Sequence, residues 1–260
     1  MRGEPLLCVR DMAKTYYRRR WFGPAVAATV PLAGVSFSLE RGRTLAIVGP
    51  SGSGKSTLAR CLAQFETPTG GEILFEGRRL SRDRRLEIQL IFQQPAASLN
   101  PRFTAGETVE EPLAIQGSGT AATRRERARA ALELTGIART ALGKHAHEFS
   151  GGERQRLAIA RALVAEPKVL ILDESFNGLD AALAGQIAGL LRDLQARLGI
   201  AYLLISHDLR LVAALADEIA VMEQGAFVEY APAAALMEHP QHPRTRELIA
   251  ATLALEGGMA

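Results

Sequence analysis

The 260-residue sequence is poor in cysteine and has no long hydrophobic run. Its two cysteines, Cys8 and Cys61, lie far apart and without metal-ligand spacing, which argues against a disulfide framework or a metal cluster and predicts two buried free thiols. No apolar stretch approaches the roughly 18 residues that a membrane-spanning helix requires. The N-terminal stretch "MRGEPLLCVR" lacks the apolar core of a signal peptide. We therefore expect a cytosolic protein, which is still able to dock on a membrane protein.

An excess of charge of one sign is also lacking. The 31 basic residues nearly balance the 28 acidic ones, which leaves a formal net charge of +3. Two arginine-rich clusters, "YYRRRW" and "RRLSRDRRLE", resemble nucleic-acid patches when taken alone. Because the overall charge is nearly balanced, we interpret both clusters as solvated surface or partner contacts and expect no nucleic-acid partner.

Apolar strands and amphipathic helices alternate along much of the chain. "KVLILDE" and "AYLLIS" are continuous apolar runs, which is typical of strands buried on both faces. Between residues 104 and 165 the pattern is helical, and the stretch from 95 to 165 therefore predicts a second lobe. A later helix is expected to bury one face, formed by Leu183, Ile187, Leu190, Leu194 and Leu198. Together these patterns predict an α/β protein with a parallel core sheet.

A glycine-rich loop follows the strand "TLAIV" and opens a helix. Its pattern is G-x-x-x-x-G-K-S, formed by Gly49, Pro50, Ser51, Gly52, Ser53, Gly54, Lys55 and Ser56. Glycines let the backbone aim several N–H groups inward, and the helix N-terminus adds partial positive charge. The lysine is able to reach the β- and γ-phosphates, and the serine hydroxyl is able to ligate Mg²⁺. The loop therefore predicts nucleotide binding.

Two carboxylates stand at the end of the buried strand "VLILDE". Ligands of open α/β sheets bind at the carboxyl ends of strands. In that position Asp173 is expected to hold Mg²⁺ through water, and Glu174 to orient or deprotonate an attacking water. An apolar strand ending in Asp-Glu is a weak signal alone, and it gains its meaning from the phosphate loop.

A second glycine pair occurs in "HEFSGGERQRLAIARAL". Ser150 and Glu153 form a capping-box pattern at the start of a helix. A capping box does not need Gly151 and Gly152 between its two members, and these glycines expose more backbone N–H groups at a helix N-terminus. One γ-phosphate does not need both anion sites from one molecule. It could use one from each of two molecules.

With this segment the sequence resembles the ATP-binding subunits of ABC transporters over nearly its whole length. "SGGERQR" is similar to their signature sequence, with Glu153 where glutamine is usual. Further motifs appear in the family's order: Tyr16 matches the adenine-stacking A-loop aromatic, Gln93 the Q-loop, Asp180 the D-loop and His207 the switch histidine.

The resemblance implies roles for these residues. Glu174, His207, Gln93 and Lys55 are expected to serve ATP hydrolysis, and Ser56, Gln93 and Asp173 to hold Mg²⁺. Nucleotide contacts are expected from Tyr16, residues 49 to 56, Thr57, Asp180 and, from the opposite subunit, residues 150 to 152.

The resemblance also implies the architecture. We expect one ABC ATPase domain over residues 1–260, with a P-loop NTPase core, an antiparallel β subdomain and an inserted α-helical subdomain. The expected boundaries are 1–94 and 166–230 for the core with its β subdomain, 95–165 for the helical signature subdomain and 231–260 for a C-terminal helical tail.

The family's mechanism implies partners. Two ATP-binding subunits, identical or paralogous, sandwich ATP head to tail and transmit closure to two transmembrane permease subunits. An extracytoplasmic solute-binding protein delivers the cargo, and the ATPase lies peripherally on the cytoplasmic face of the inner membrane.

Two further stretches indicate a branch of the family. "FQQPAASLNPR" and "HPQHPRTRELIAA" resemble elements of importers for dipeptides, oligopeptides and nickel. Ser175, Phe176 and Asn177 replace the Pro-Thr-Ser that commonly follows the glutamate. A soluble ABC ATPase without a transport role and a regulatory nucleotide-binding module remain the alternatives, and the cargo stays open among peptides, nickel complexes and other small solutes.

Overall fold

The computed structural model describes residues 4–18, 26–92, 99–176 and 178–257, and its strands form two sheets. The strands are β1 (Leu7–Arg18), β2 (Val26–Leu39), β3 (Thr44–Val48), β4 (Gly70–Phe75), β5 (Arg78–Arg79), β6 (Ile88–Ile91), β7 (Val169–Asp173), β8 (Ala201–Ile205), β9 (Glu218–Glu223) and β10 (Ala226–Pro232). The helices are α1 (Lys55–Leu62), α2 (Ala105–Ile115), α3 (Ala121–Leu134), α4 (Gly151–Leu163), α5 (Ala181–Leu198), α6 (Leu209–Leu215), α7 (Ala233–Glu238) and α8 (Pro243–Gly257).

The larger sheet has six strands in the order β10-β9-β3-β8-β7-β6. All its neighbours pair in parallel except β9 and β10. Every residue of β3, β7 and β8 is buried, as their continuous apolar runs predict. Since these strands are parallel, the loops that leave their carboxyl ends meet at one edge of the sheet.

The smaller sheet is antiparallel, with the order β2-β1-β4-β5. It shares a hydrophobic core with α1 and one face of the larger sheet, where Leu7 and Phe75 join Leu45 and Leu58. Cys61 is buried in this core as predicted, but Cys8 is only half-buried because it lies on β1 near the surface; both thiols are free.

Three helices pack around a separate core. Val109 of α2, Leu132 of α3 and Leu157 of α4 are fully buried against one another. Thr104 begins α2 with a complete capping box to Glu107, which satisfies two backbone N–H groups of the first turn. The predicted α/β fold, with a parallel core sheet and added helices, is confirmed. The exact subdomain boundaries stay a prediction.

The helix α5 buries most of its predicted face but not the last residue of that face, and Leu183 and Leu190 are partly buried against the core. In α5 the fully buried residues are Ile187, Leu191 and Leu194, whereas Leu198 is 46% exposed. The helix ends at Gly199 in the left-handed conformation, directly after the exposed Leu198. Within the described part of the chain, no helix is long and apolar enough to cross a membrane.

Candidate functional site

The glycine-rich loop lies at the carboxyl end of β3 and opens α1. Gly49 and Gly54 have positive φ values of 150° and 111°. A Cβ atom at Gly49 would lie 2.1 Å from the Met222 carbonyl oxygen, and one at Gly54 would lie 2.1 Å from the Pro31 carbonyl oxygen. Only glycine fits these two positions. Because Gly54 begins α1 without a side-chain cap, the first N–H groups of this helix are left to bind an anion.

Lys55 is folded into the loop that precedes it. Its ammonium donates to the carbonyl oxygens of Gly49 at 2.9 Å and Pro50 at 2.8 Å. Burial lowers the pKa of Lys55, and the nearby carboxylates of Glu174 and Asp173 oppose this shift. The cation is therefore held inside the loop, where phosphate oxygens can replace the carbonyl oxygens as its acceptors.

The predicted Mg²⁺ ligands meet at the end of β7. The Ser56 hydroxyl donates to Asp173 Oδ1 at 3.1 Å. Asp173 is buried, which raises its pKa, while the hydrogen bond from Ser56 acts in the opposite direction. A hydroxyl and a carboxylate brought together next to a phosphate loop form the oxygen donor set that Mg²⁺ prefers, and the residues present fit this ion.

Glu174 occupies a left-handed backbone conformation directly after β7. Its φ is 49°, which is uncommon for a residue other than glycine and costs about 1 kcal/mol or more. The conformation is held by a hydrogen bond of 2.9 Å from its N–H to the Ile205 carbonyl oxygen on β8. Such local strain concentrates at functional sites, where it fixes the direction of a side chain.

His207 follows β8 and faces the same open cleft as Glu174 and the phosphate loop. The cleft has a volume of about 600 Å³ and is lined by Gly49, Pro50, Ser51, Glu174, His207, Arg244, Glu247, Leu248 and Ala251. The chain beyond His207 turns into α6, where the Asp208 carboxylate accepts from the Arg210 N–H at 2.9 Å. The structure thus brings together the predicted base, the predicted switch histidine and the phosphate loop.

The last helix contributes a wall of this cleft that the sequence did not predict. Glu229 on β10 fixes the start of α8 by accepting from the N–H groups of Gln241 at 2.8 Å and His242 at 3.0 Å, and from the Thr245 hydroxyl. Arg244 and Glu247 then face the cleft as an ion pair of 2.6 Å. The sequence predicted a helical tail in this region, and α8 lies within it, but the sequence did not predict that this helix would line the cleft.

Tyr16 lies beside the helix that follows the phosphate loop. Its hydroxyl donates to Glu66 Oε2 at 2.5 Å and also contacts Thr57 on α1, and its ring is 38% exposed. The hydrogen bond with Glu66, followed by partial burial, raises the pKa of Tyr16. The structure therefore brings two predicted nucleotide contacts, Tyr16 and Thr57, next to each other, and the Lys14 ammonium lies 5.1 Å from the centre of the Tyr16 ring.

The signature segment forms the start of α4, away from the cleft. Ser150 is the N-cap, and a Cβ atom at Gly152 would lie 2.9 Å from Leu183 Cδ1 on α5. Asp180 begins α5 and accepts from the Leu183 N–H at 2.8 Å, so the predicted D-loop lies close to the signature segment. None of these residues lines the cleft of the same chain.

Two positions of interest lie outside the described residues. Gln93, predicted to bind Mg²⁺ and sense the γ-phosphate, is one, and Asn177 is the other. Ser175 and Phe176, which directly precede Asn177, also differ from the usual family residues. The Ser175 hydroxyl donates to the Ile91 carbonyl oxygen at 2.6 Å, and the Phe176 side chain is buried in the core. Both therefore stabilise the turn after Glu174.

Comparison with known proteins gives a consistent result. Residues 32–177 match the family model described as ABC transporter. An ATP-binding protein of Brucella ovis named for peptide import is 45% identical over an alignment of 260 residues. The alignment covers 96% of this chain and 80% of that protein. The dipeptide transport ATP-binding protein DppF of Escherichia coli is 43% identical over 256 residues, covering 96% of this chain and 77% of that protein.

A solved structure is also similar. The ATP-binding cassette MJ0796, solved as a dimer in a post-hydrolysis state with ADP and Pi, is 27% identical to this chain. The alignment has a TM-score of 0.71 and covers 87% of this chain and 98% of that one.

Proposed function

The chain belongs to the ABC transporter ATP-binding family, and on that premise we propose that it hydrolyses ATP to power an importer for peptides or similar small solutes. The observation that carries the proposal is the convergence of Lys55, the Ser56–Asp173 pair, Glu174 and His207 around one phosphate loop. The relatives named for peptide import and dipeptide transport favour a peptide cargo. A nickel complex remains a finer alternative.

The residues divide the work of hydrolysis among them. Loop N–H groups and Lys55 bind the β- and γ-phosphates, while Tyr16 stacks on the adenine. Ser56 and Asp173 would hold Mg²⁺, which when bound neutralises charge on the phosphate oxygens. Glu174 accepts the proton of the attacking water, and His207 contacts the γ-phosphate from the same cleft.

Two ATP-binding subunits are needed for a complete site. The signature residues Ser150, Gly151 and Gly152 stand outside the cleft of their own chain, and the cleft is open to solvent. A second subunit, identical or paralogous, would cover bound ATP with its own signature segment. ATP would then hold the pair together, and hydrolysis would weaken it. The dimeric state of the related MJ0796 cassette supports this arrangement.

A groove between the core sheet and the helices fits a permease segment. It has a volume of about 320 Å³ and lies where β6 ends, just before Gln93. Phe65 and Phe92 form an edge-to-face pair there with ring centroids 5.4 Å apart, and Ile115 beside them is 70% exposed. Exposed apolar side chains that line a groove are typical of protein contacts.

We infer that each permease subunit inserts an apolar segment into this groove. The chain would then lie peripherally on the cytoplasmic face of the membrane. A solute-binding protein on the other face would deliver the cargo.

The test of the catalytic role is Glu174→Gln. Removal of the general base should lower phosphate release by about 10²- to 10⁴-fold while ATP binding persists, because the phosphate loop is unchanged. Glu40→Gln, which alters an exposed carboxylate outside the cleft, is the control. Equal turnover in the variant and the wild type would favour the alternative of a regulatory nucleotide-binding module.

A further inference from the structure

The signature turn holds a carboxylate directly against the amides that are expected to meet phosphate. Glu153 Oε2 accepts from the Ser150 N–H at 2.8 Å, and the Glu153 N–H donates to Ser150 Oγ at 3.3 Å. This is a complete capping box, and Glu153 is the only acidic residue in the first turn of α4. The negative charge therefore sits at the positive end of the helix.

The capping box uses only part of the donors at this helix end. The N–H groups of Ser150 and Glu153 are engaged within the turn, and the Arg154 N–H donates to the Ser150 carbonyl oxygen at 2.9 Å. Among the residues that the structure describes, the Gly151 and Gly152 N–H groups have no acceptor. These two amides and the Ser150 hydroxyl proton remain for an external anion.

Glu153 carries its charge at neutral pH. The Ser150 backbone N–H, then the Ser150 side chain, and the nearby Lys144 and Arg156 all lower the pKa of Glu153. A second anion that approaches Gly151 and Gly152 thus meets a fixed negative charge within the same turn.

On the premise of the proposed sandwich, we propose that Glu153 sets how tightly the signature turn binds the γ-phosphate held by a second ATP-binding subunit. Its carboxylate preorganises Ser150 through the capping box but repels the phosphate. The two effects act together to give a turn that is well formed yet binds ATP weakly. The ATP-bound pair is therefore short-lived, which favours rapid reopening.

The two effects can be separated because glutamine also completes a capping box. Glu153→Gln keeps the length of the side chain and an oxygen that accepts from the Ser150 N–H, but it removes the charge. Glu153→Asp keeps the charge and shortens the side chain. A purely structural role predicts that the aspartate variant is the weaker one, whereas a charge effect predicts a gain for the glutamine variant alone.

The experiment measures pairing in a Glu174→Gln background, where ATP is not consumed. The dissociation constant of the pair is determined by analytical ultracentrifugation with MgATP, for this chain alone and for its mixture with any ATP-binding subunit encoded beside it. We expect Glu153→Gln to tighten pairing about tenfold at low salt and Glu153→Asp to remain close to the parent. Screening should reduce the gain strongly between about 0.05 and 0.5 M NaCl.

An unchanged dissociation constant for Glu153→Gln, or a gain that is the same at all salt concentrations, would overturn the proposal. ATP binding by the isolated chain is the internal reference, since Glu153 lies outside its own cleft. Absence of MgATP-dependent pairing in the Glu174→Gln parent would instead refute the sandwich itself, and the role of Glu153 with it. The two failures are therefore distinguishable.

Discussion

Among single residues, Gly49 and Gly54 of the phosphate loop have little freedom to change. Gly54 combines a φ of 111° with the close approach of the Pro31 carbonyl oxygen, which lies on β2 of the smaller sheet. The loop is thus fitted between two sheets, and its geometry depends on how they pack. Gly52 also has a positive φ, of 79°, but no atom lies within 4 Å of a Cβ built there.

This difference predicts unequal effects of two alanine substitutions. Gly52→Ala should cost about 1–2 kcal/mol, since only the backbone conformation is disfavoured. Gly54→Ala should cost more and should also abolish ATP binding, because β2 or the loop must move. Urea unfolding and equilibrium binding of a fluorescent ATP analogue measure both effects. Equal losses in the two variants would show that the contact with Pro31 is unimportant.

Several site residues could be predicted from spacing alone, and others could not. Lys55, Ser56, Asp173 and Glu174 follow from a loop and a strand whose physical roles are local. The exposure of Leu198 and of Cys8 depends on where a helix or strand leaves its neighbour, and local patterns do not contain that information. Arg244 and Glu247 reach the cleft only through the docking of α8 on β10.

At the scale of elements, a cluster of charges joins the two sheets. Glu76, just after β4, binds Arg84 and Lys168, and both cations also bind Glu87. Arg84 and Glu87 lie in a short 3₁₀ helix before β6, and Lys168 directly precedes β7. Because the partners adjoin strands of both sheets, the cluster links the two sheets.

The cluster predicts a pH dependence of stability. Hydrogen bonds from Arg84, then Lys168, lower the pKa of Glu76 from 4.5 to about 2. A carboxyl with a lower pKa in the folded state stabilises the fold fully above the unfolded value, near pH 4.5, and this contribution is lost as the pH falls towards 2. Glu76→Gln should therefore flatten the decline of the free energy of unfolding below pH 4.5.

Urea unfolding at pH 7, 4 and 3 provides the measurement. Glu72→Gln, which removes an ion pair with Arg10 on an exposed face of the smaller sheet, is the control. A Glu76→Gln variant whose stability declines with acid as steeply as that of the wild type would contradict the assignment.

The aromatic groove gives a second prediction at this scale. Phe65 and Tyr17 are equally exposed, at 61%, but only Phe65 lines the groove beside β6. Phe65→Asp should lower co-purification with the permease subunits by about tenfold or more, as loss of a central aromatic contact does in protein interfaces. Tyr17→Asp should leave co-purification unchanged. Equal retention of the permeases by both variants would place the contact elsewhere.

Elements were predicted more completely than their contacts. The continuous apolar runs of β7 and β8 identified buried parallel strands, and the capping pattern at Ser150 identified the start of α4. The position of α8 was not predictable in the same way. Its anchor Glu229 lies at least 12 residues before its partners, and the phosphate loop that it faces is far away in sequence.

At the scale of the whole molecule, the chain carries two halves of a site that do not meet. The phosphate loop, Glu174 and His207 share one open cleft, and the signature turn stands apart at the start of α4. In the proposed pair, the signature turn would serve the partner's site, which would explain why one chain has glycines at two helix N-termini. The function proposed for the molecule therefore depends on pairing driven by ATP.

The most direct test of this account is the mass of purified Glu174→Gln protein in solution with and without MgATP. The single chain has a mass of 28.0 kDa. The account predicts that MgATP doubles this mass, for the chain alone or for its mixture with any ATP-binding subunit encoded beside it, and that removal of nucleotide reverses the change. A mass that stays at the monomer value with MgATP in every mixture would contradict the shared site.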